Sequence, residues 1–184
     1  MEPLTIAYIV IALTALWAVW SYNGFVRMKT RVHEGLSDID VQLKRRYDLI
    51  PNLIESVRGY MTYESSLLER VTEARAKVAH GGTALERAGA EAALSGTLKT
   101  LFAVAEGYPE LKANANFLSL QGDLTDTENK IQAARRFYNS MVMALNASVS
   151  SFPGNLVASS FGFGAEKFFE AANDAEREPV RVRF

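Results

Sequence analysis

Residues 4–22, LTIAYIVIALTALWAVWSY, decide the architecture of this chain. As an α-helix these residues span about 28 Å, close to the ~30 Å hydrocarbon core of a bilayer. No charged residue interrupts the segment. Trp17, Trp20 and Tyr22 cluster at its C-terminal end, where amphipathic aromatic rings favour the headgroup level. The sequence therefore predicts a transmembrane anchor over residues 1–26, in contact with membrane lipid.

A cleaved signal peptide and a buried core helix are the two alternatives for this segment. A signal peptide begins with basic residues, but only Met1, Glu2 and Pro3 precede the apolar run, and no Ala-x-Ala cleavage site occurs in it. A core helix of a small domain normally carries charged residues on one face. An uncleaved anchor is therefore favoured over both alternatives.

The charges that flank the segment predict its orientation. Arg27, Lys29 and Arg31 follow it, whereas Glu2 is the only charged side chain before it. Because an excess of Lys and Arg marks the cytoplasmic side, we expect the N-terminus outside and the following residues in the cytoplasm.

Beyond the anchor, apolar residues recur with helical spacing and no strand pattern is seen before Ser151. A heptad seam of the coiled-coil type runs from Leu36 to Val78 and ends at two glycines. The predicted fold is all-α: the N-terminal transmembrane helix plus an antiparallel up-and-down bundle of three to four long helices. The predicted domains are residues 1–26, 27–153 and an aromatic tail at 154–184, which packs on the bundle or is flexible.

Local signals predict where these helices begin and end. Capping boxes at residues 83–86 and 125–128 predict two helix starts, the second after a turn at residues 122–123. Pro109 predicts a break, and Pro153 a helix end. Pro51 either opens a new helix or kinks a continuous one, and the unbroken heptad register favours the continuous helix.

The composition offers little for catalysis. The chain of 184 residues has no cysteine, two histidines and a formal net charge of −1. It therefore lacks thiol chemistry, and neither histidine stands in a metal-binding or di-iron pattern. The balanced charge does not favour nucleic-acid binding. We expect no catalytic, cofactor-binding or metal-binding residues, and hence no enzyme.

Polar residues nevertheless occupy positions that a bundle would bury. Arg46 falls on the heptad seam, and polar residues on a later helix share one face at intervals of seven and four. Because buried charges are costly unless they are paired, we expect an interhelical polar layer. Its simplest role is to set helix register without a ligand. The candidate members are Arg46, Asp48, Asn52, Glu128, Arg135, Tyr138 and Asn139.

Several short sequence motifs of this chain resemble those of the LemA family of bacterial membrane-anchored proteins. They are YN at 22–23, IDVQLKRRYDLIPNL at 39–53, YPELKAN at 108–114, NF at 116–117, TENKI at 127–131, AR at 134–135, YN at 138–139, FP at 152–153 and PVRVRF at 179–184. One departure is the pair Gly35-Leu36, where the family often has a small and an aromatic residue.

The resemblance implies a single N-terminal span in the bacterial inner membrane and a cytoplasmic bundle of long helices. It implies no enzymatic activity. We expect a scaffold that binds other proteins or itself. The alternatives are a membrane-shaping or lipid-contacting scaffold, an accessory factor of membrane-protease or stress systems, and an enzyme with an unrecognised carboxylate or Asn/Arg site.

Overall fold

The computed structural model describes residues 3–79 and 82–169, which form six helices and, within those ranges, no strand. The all-α prediction is confirmed. The helices are α1 (Pro3–Arg58), α2 (Ser65–Val78), α3 (Ala88–Ala105), α4 (Pro109–Lys112), α5 (Ala115–Ser150) and α6 (Gly154–Phe161).

The helix α1 runs through Pro51 without interruption, as the unbroken heptad register predicted. Proline removes one backbone donor and normally weakens a helix interior. Here the flanking apolar side chains, Ile50 and Leu53, are both fully buried. Their burial favours the continuous helix over a turn.

The heptad seam from Leu36 to Val78 is divided between two helices. The helix α1 ends at Arg58 and α2 begins at Ser65. A tight turn lies between them, in which the backbone N–H groups of Tyr60 and Met61 both donate to Val57 O at 3.0 Å. Gly59 favours an end to the helix at this point. The register of the seam survives, because Val71 and Val78 on α2 are buried like their counterparts on α1.

The first predicted capping box is present. The backbone N–H of Thr83 donates to Glu86 Oε2 at 2.7 Å, and the N–H of Glu86 donates to Thr83 Oγ1 at 3.4 Å. A turn over residues 84–87 then leads into α3. The predicted break at Pro109 also occurs, since α3 ends at Ala105 and Pro109 opens α4.

The second predicted capping box is wrong. The helix α5 is continuous over residues 122–128, and the Thr125 hydroxyl donates back to Gln121 O at 2.7 Å. The helix begins instead after Asn114, whose Oδ1 accepts the N–H groups of Asn116 and Phe117 at 2.9 and 3.1 Å. An interior glycine costs only about 1 kcal/mol. Burial of apolar residues along α5 outweighs that cost.

The chain divides into two compact units. Among the described residues, unit 1 comprises residues 3–37 and 135–168, and unit 2 comprises residues 38–79, 82–134 and 169. The core of unit 2 is apolar and lies along the seam. The core of unit 1 includes Phe25, Val32, Tyr138, Val142 and Leu145. The predicted domain boundaries at residues 26 and 153 stay predictions, and the predicted tail beyond residue 169 lies outside the described residues.

Candidate functional site

Unit 2 buries one arginine between two glutamates. Arg46 and Glu91 each expose only 1% of their surface. Arg46 Nη2 donates to the Glu91 carboxylate, and Arg46 Nη1 donates to Glu128 Oε2 at 2.7 Å. The same Nη1 donates to Ser95 Oγ at 2.6 Å, and the Ser95 hydroxyl lies 3.3 Å from Glu128 Oε2. We call these four residues the Arg46 cluster.

Three helices supply the Arg46 cluster from their apolar faces. Arg46 lies on α1 between the buried residues Leu43 and Ile50. Glu91 and Ser95 lie one turn apart on α3, so that both face the same side of the helix. Glu128 comes from α5, next to the fully buried Thr127. The cluster therefore joins three helices that are distant in sequence.

The charge of the cluster is unbalanced, because one guanidinium faces two carboxylates. Arg46 Nε and Glu91 Oε1 are buried with no hydrogen-bond partner among the described residues. Buried ion pairs are costly to desolvate, and they rarely add stability relative to an apolar replacement. They do penalise any helix register that separates the partners. We therefore expect the arrangement to disfavour helix registers that separate Arg46 from its carboxylates.

A cavity of about 190 Å³ adjoins the cluster. Glu128, which is partly exposed, connects the cluster with this space. The volume is below the 300–1,000 Å³ typical of ligand pockets, although it has room for a few water molecules. The lining residues are Arg46, Ser95, Leu98, Lys99, Phe102, Leu124, Thr125, Glu128 and Asn129.

The structure separates the predicted polar layer into parts. Arg46 and Glu128 come together, as described above. Asp48 is exposed on the surface and accepts a hydrogen bond from Lys44 Nζ at 3.1 Å, and Asn52 is also exposed. The structure thus does not place Asp48 or Asn52 in a buried layer.

The remaining predicted members belong to unit 1. Arg135 and Asn139 are half-buried there, and Tyr138 is buried. The Tyr138 hydroxyl donates to Lys167 O at 2.8 Å. Burial, with a smaller effect of the nearby Glu166 carboxylate, raises the pKa of Tyr138 above its ordinary value. Tyr138 therefore serves to hold the segment that follows α6.

Glu91 and Ser95 belong to the Arg46 cluster but were not among the predicted members of the polar layer. A signal was available for Glu91. It stands three residues before Leu94 and seven before Leu98, on the apolar stripe of an alanine-rich helix. A charge on an apolar stripe is the same signal that singled out Arg46.

Unit 1 presents a second notable region, at the end of the predicted span. Trp17 is half-buried and Trp20 is exposed, whereas Tyr22 contacts the rings of Phe161 and Phe163 at centroid distances of 4.9 and 5.6 Å. The flanking cations of α1 follow within nine residues and are all exposed. They are Arg27, Lys29 and Arg31.

The helix α1 is long and apolar enough to cross a membrane, and none of its most apolar window is buried in the protein. In residues 3–79 and 82–169, no group of three or more His, Asp or Glu side chains is arranged to hold a metal ion. Of the two histidines, His33 is exposed, and His80 lies outside the described residues.

Residues 35–184 match the model of the LemA family. The chain belongs to the LemA family. A protein named LemA from Metamycoplasma hominis is 26% identical over 162 residues, which covers 86% of this chain and 72% of the relative. Two proteins named magnetosome protein MamQ, from Paramagnetospirillum magneticum, are 23% identical over 175 residues and cover 81% of this chain. The match covers 64% of the length of these magnetosome proteins.

Proposed function

We propose that this LemA-family protein is a single-pass, non-enzymatic scaffold, anchored in the bacterial inner membrane by α1 and carrying a helical bundle on the cytoplasmic side. The observation that carries the proposal is the exposure of the apolar part of α1. Large side chains along residues 4–20 lie on the protein surface, with Leu4, Tyr8 and Leu16 each more than 60% exposed. Exposing so much apolar surface to water is unfavourable, and a bilayer removes that cost.

The same exposure argues against a core helix, because a core helix is mostly buried. The continuity of α1 argues against a cleaved signal peptide. The helix passes from the apolar segment into the core of unit 1 without a linker, and Phe25 and Val32 on it are buried. Cleavage near the end of the segment would remove Tyr22 and its contacts with Phe161 and Phe163.

Alkaline carbonate extraction of membranes tests the anchor. We expect the full chain to stay in the membrane pellet. The double variant Ile11→Arg/Leu13→Arg should move to the supernatant, because each arginine at the centre of a span costs about 2.5–3.5 kcal/mol of insertion free energy. The control is Val41→Arg, at an exposed position of unit 2. Extraction of the unmodified chain would contradict the proposal.

The absence of native cysteine allows a direct test of orientation. A single cysteine is introduced by Glu2→Cys or by Tyr63→Cys, the latter at a position that is 94% exposed. Intact spheroplasts are treated with a membrane-impermeant maleimide. We expect Glu2→Cys to be labelled at once and Tyr63→Cys only after lysis. The reverse pattern would show that the bundle faces outward.

The scaffold role rests on the chemistry of the Arg46 cluster. One oxygen of each glutamate accepts a hydrogen bond from the Arg46 guanidinium, and the small cavity beside the cluster suits water better than a substrate. Photo-crosslinking from Tyr63 and from the exposed Met143 in intact membranes would identify what the bundle binds. Crosslinks to a second protein or to another copy of this chain are expected. A chain that crosslinks only to lipid from both positions would refute the protein-binding role.

A further inference from the structure

Unit 1 contains a second stretch without charge. Residues 137–165 include no Asp, Glu, Lys, Arg or His, although charged residues make up 22% of the chain. The stretch covers the end of α5, the whole of α6 and the residues just after it. A solvated helix surface in a bundle normally carries charges of both signs. The stretch therefore lacks the surface expected of a segment that lies in water.

Around α6 this stretch exposes large apolar side chains. Phe152, just before the helix, is 81% exposed, and Leu156 and Phe161 are 56% and 60% exposed. Within α6 itself, Val157 and Ala158 are buried. The helix thus packs through Val157 and Ala158 and exposes an uncharged surface that includes Asn155, Leu156, Ser159 and Ser160.

Both ends of α6 touch the same turn of α1. At one end the Phe161 ring lies 4.9 Å from the Tyr22 ring, centroid to centroid. At the other end the Gly154 backbone is so close to Phe25 that an added Cβ would lie 3.5 Å from Phe25 Cζ. Just beyond α6, Phe163 stacks on Phe25 with a centroid distance of 5.2 Å.

That turn of α1 is where the predicted span ends. Tyr22 closes the 19-residue apolar segment, and Arg27 is the first charged residue after it. A helix held against residues 22–25 therefore lies at the level of the lipid headgroups, if α1 spans the bilayer.

Two further contacts hold the segment after α6 in place. Asn146 on α5 donates from Nδ2 to Glu166 O at 2.9 Å and accepts the Glu166 N–H at 2.8 Å. The Tyr138 hydroxyl bonds the next carbonyl, that of Lys167. With Tyr22 and Phe25 on the other side, these bonds fix α6 at the end of the span rather than leaving it on a free tail.

We propose that Phe152 and α6 form a membrane-surface foot, which lies in the boundary between headgroups and acyl chains beside the exit of α1. The exposed apolar side chains enter the acyl boundary, as in interfacial helices. Arg27, Lys29 and Arg31, at the same end of α1, would attract anionic headgroups. The foot rests on the proposed anchoring of α1 and adds a second lipid contact to it.

Tryptophan fluorescence in vesicles tests the foot on the full chain. Trp17 and Trp20 are replaced by Phe, and a single reporter is introduced by Leu156→Trp. Leu118→Trp is the matched control, since Leu118 is 50% exposed on α5 but belongs to unit 2, outside the uncharged stretch. The proteins are reconstituted in phosphatidylcholine–phosphatidylglycerol vesicles that contain lipid brominated near the headgroup end of the acyl chains.

We expect the Leu156→Trp emission to shift to shorter wavelength and to lose intensity with brominated lipid. The Leu118→Trp emission should do neither. Equal far-UV circular dichroism of the two variants would show that both fold.

Two controls separate the foot from the anchor. The native Trp17 and Trp20 in the unmodified chain report on the span itself. If they are quenched and Leu156→Trp is not, the foot is wrong and the anchor stands. If neither is quenched, both proposals fail. A Leu156→Trp blue shift that disappears as the protein is diluted in lipid would show that a second copy covers α6, and would also overturn the foot.

Discussion

Unit 1 and unit 2 are both helical, but they differ in how many charged residues they contain and in whether any of these is buried. Residues 38–134 of unit 2 contain 25 charged residues among 97, and two of them, Arg46 and Glu91, are buried. The described part of unit 1 contains eight among 69, and none of these eight is buried. Unit 1 instead exposes aromatic and aliphatic side chains.

The proposed membrane anchoring of unit 1 explains this difference by the solvent that surrounds each unit. A bundle in water can place charges on its surface freely, and a buried ion cluster then distinguishes the correct helix register from the wrong ones. A unit next to a bilayer has less use for surface charge, because a charged group is costly in the hydrocarbon. Exposed apolar surface is unfavourable for a bundle in water, but it attaches a unit that lies beside a bilayer.

The largest effect should come from removing the buried charge of unit 2. Arg46→Ala leaves the Glu91 carboxylate buried without its cation, which should cost about 3–5 kcal/mol of unfolding free energy. Urea unfolding in detergent, followed by hydrogen exchange of α3, measures the loss. The control Lys44→Ala removes an exposed ion pair and should cost no more than about 0.5 kcal/mol.

A double variant sharpens this result. Arg46→Met with Glu91→Leu replaces both buried charges by apolar groups and should recover most of the loss. A cost of Arg46→Ala as small as that of Lys44→Ala would show that the cluster is open to water, and that the contrast between the units does not hold.

The next effect tests the packing of unit 1. Gly35 on α1 faces α5 so closely that an added Cβ would lie 3.1 Å from Tyr138 Cα. Gly35→Leu should therefore destabilise unit 1 by about 1–3 kcal/mol through overpacking. Gly122→Leu is the matched control on α5, where nothing lies within 4 Å. It should stabilise by up to about 1 kcal/mol through helix propensity. Thermal melts that move the same way for both variants would contradict the close approach.

Tyr138→Phe should produce a smaller effect with a distinct pH signature. Loss of the hydrogen bond to Lys167 O should cost about 1 kcal/mol at neutral pH. Because burial raises the pKa of Tyr138, the folded chain holds the phenolic proton more tightly than the unfolded chain. This contribution is complete below the unfolded value of about 10 and is lost as the pH rises through the folded value.

Unfolding measured from pH 8 to 11 checks that sign. The unmodified chain should lose stability toward the alkaline end, and Tyr138→Phe should lose less. An unchanged alkaline slope in Tyr138→Phe would mean that this phenol is not the source.

The smallest effect distinguishes the capping box that forms, at residues 83–86, from the predicted one that does not, at residues 125–128. Thr83→Ala removes the side-chain acceptor of the capping box and should cost about 0.5–1 kcal/mol. Thr125→Ala removes only a hydroxyl bonded back within α5 and should stay within about 0.5 kcal/mol. Both are measured by chemical denaturation. An equal loss for both would favour a second helix start near residue 125.

The local patterns that succeeded depend on neighbours a few residues apart. The apolar repeat predicted the buried positions along α1 and α2, and the Thr83–Glu86 box predicted the approach to α3. The turn predicted at Gly122 is wrong, because a helix interior tolerates one glycine when the apolar face of the helix is buried. Glycine at 59 did end a helix, in a turn closed by Val57 O. The two glycines differ in tertiary context rather than in local sequence.

By itself, the sequence determined the all-α class, the exposed apolar helix at the N-terminus and the presence of a charge on the seam, since all three follow from periodicity and hydropathy. Only the tertiary structure decided what that charge meets. Glu91 and Glu128 are 45 and 82 residues from Arg46 along the chain, so their approach depends on how three helices pack. Packing likewise brought α6 against Tyr22 and Phe25, because no local pattern records which distant surface a short apolar helix will contact.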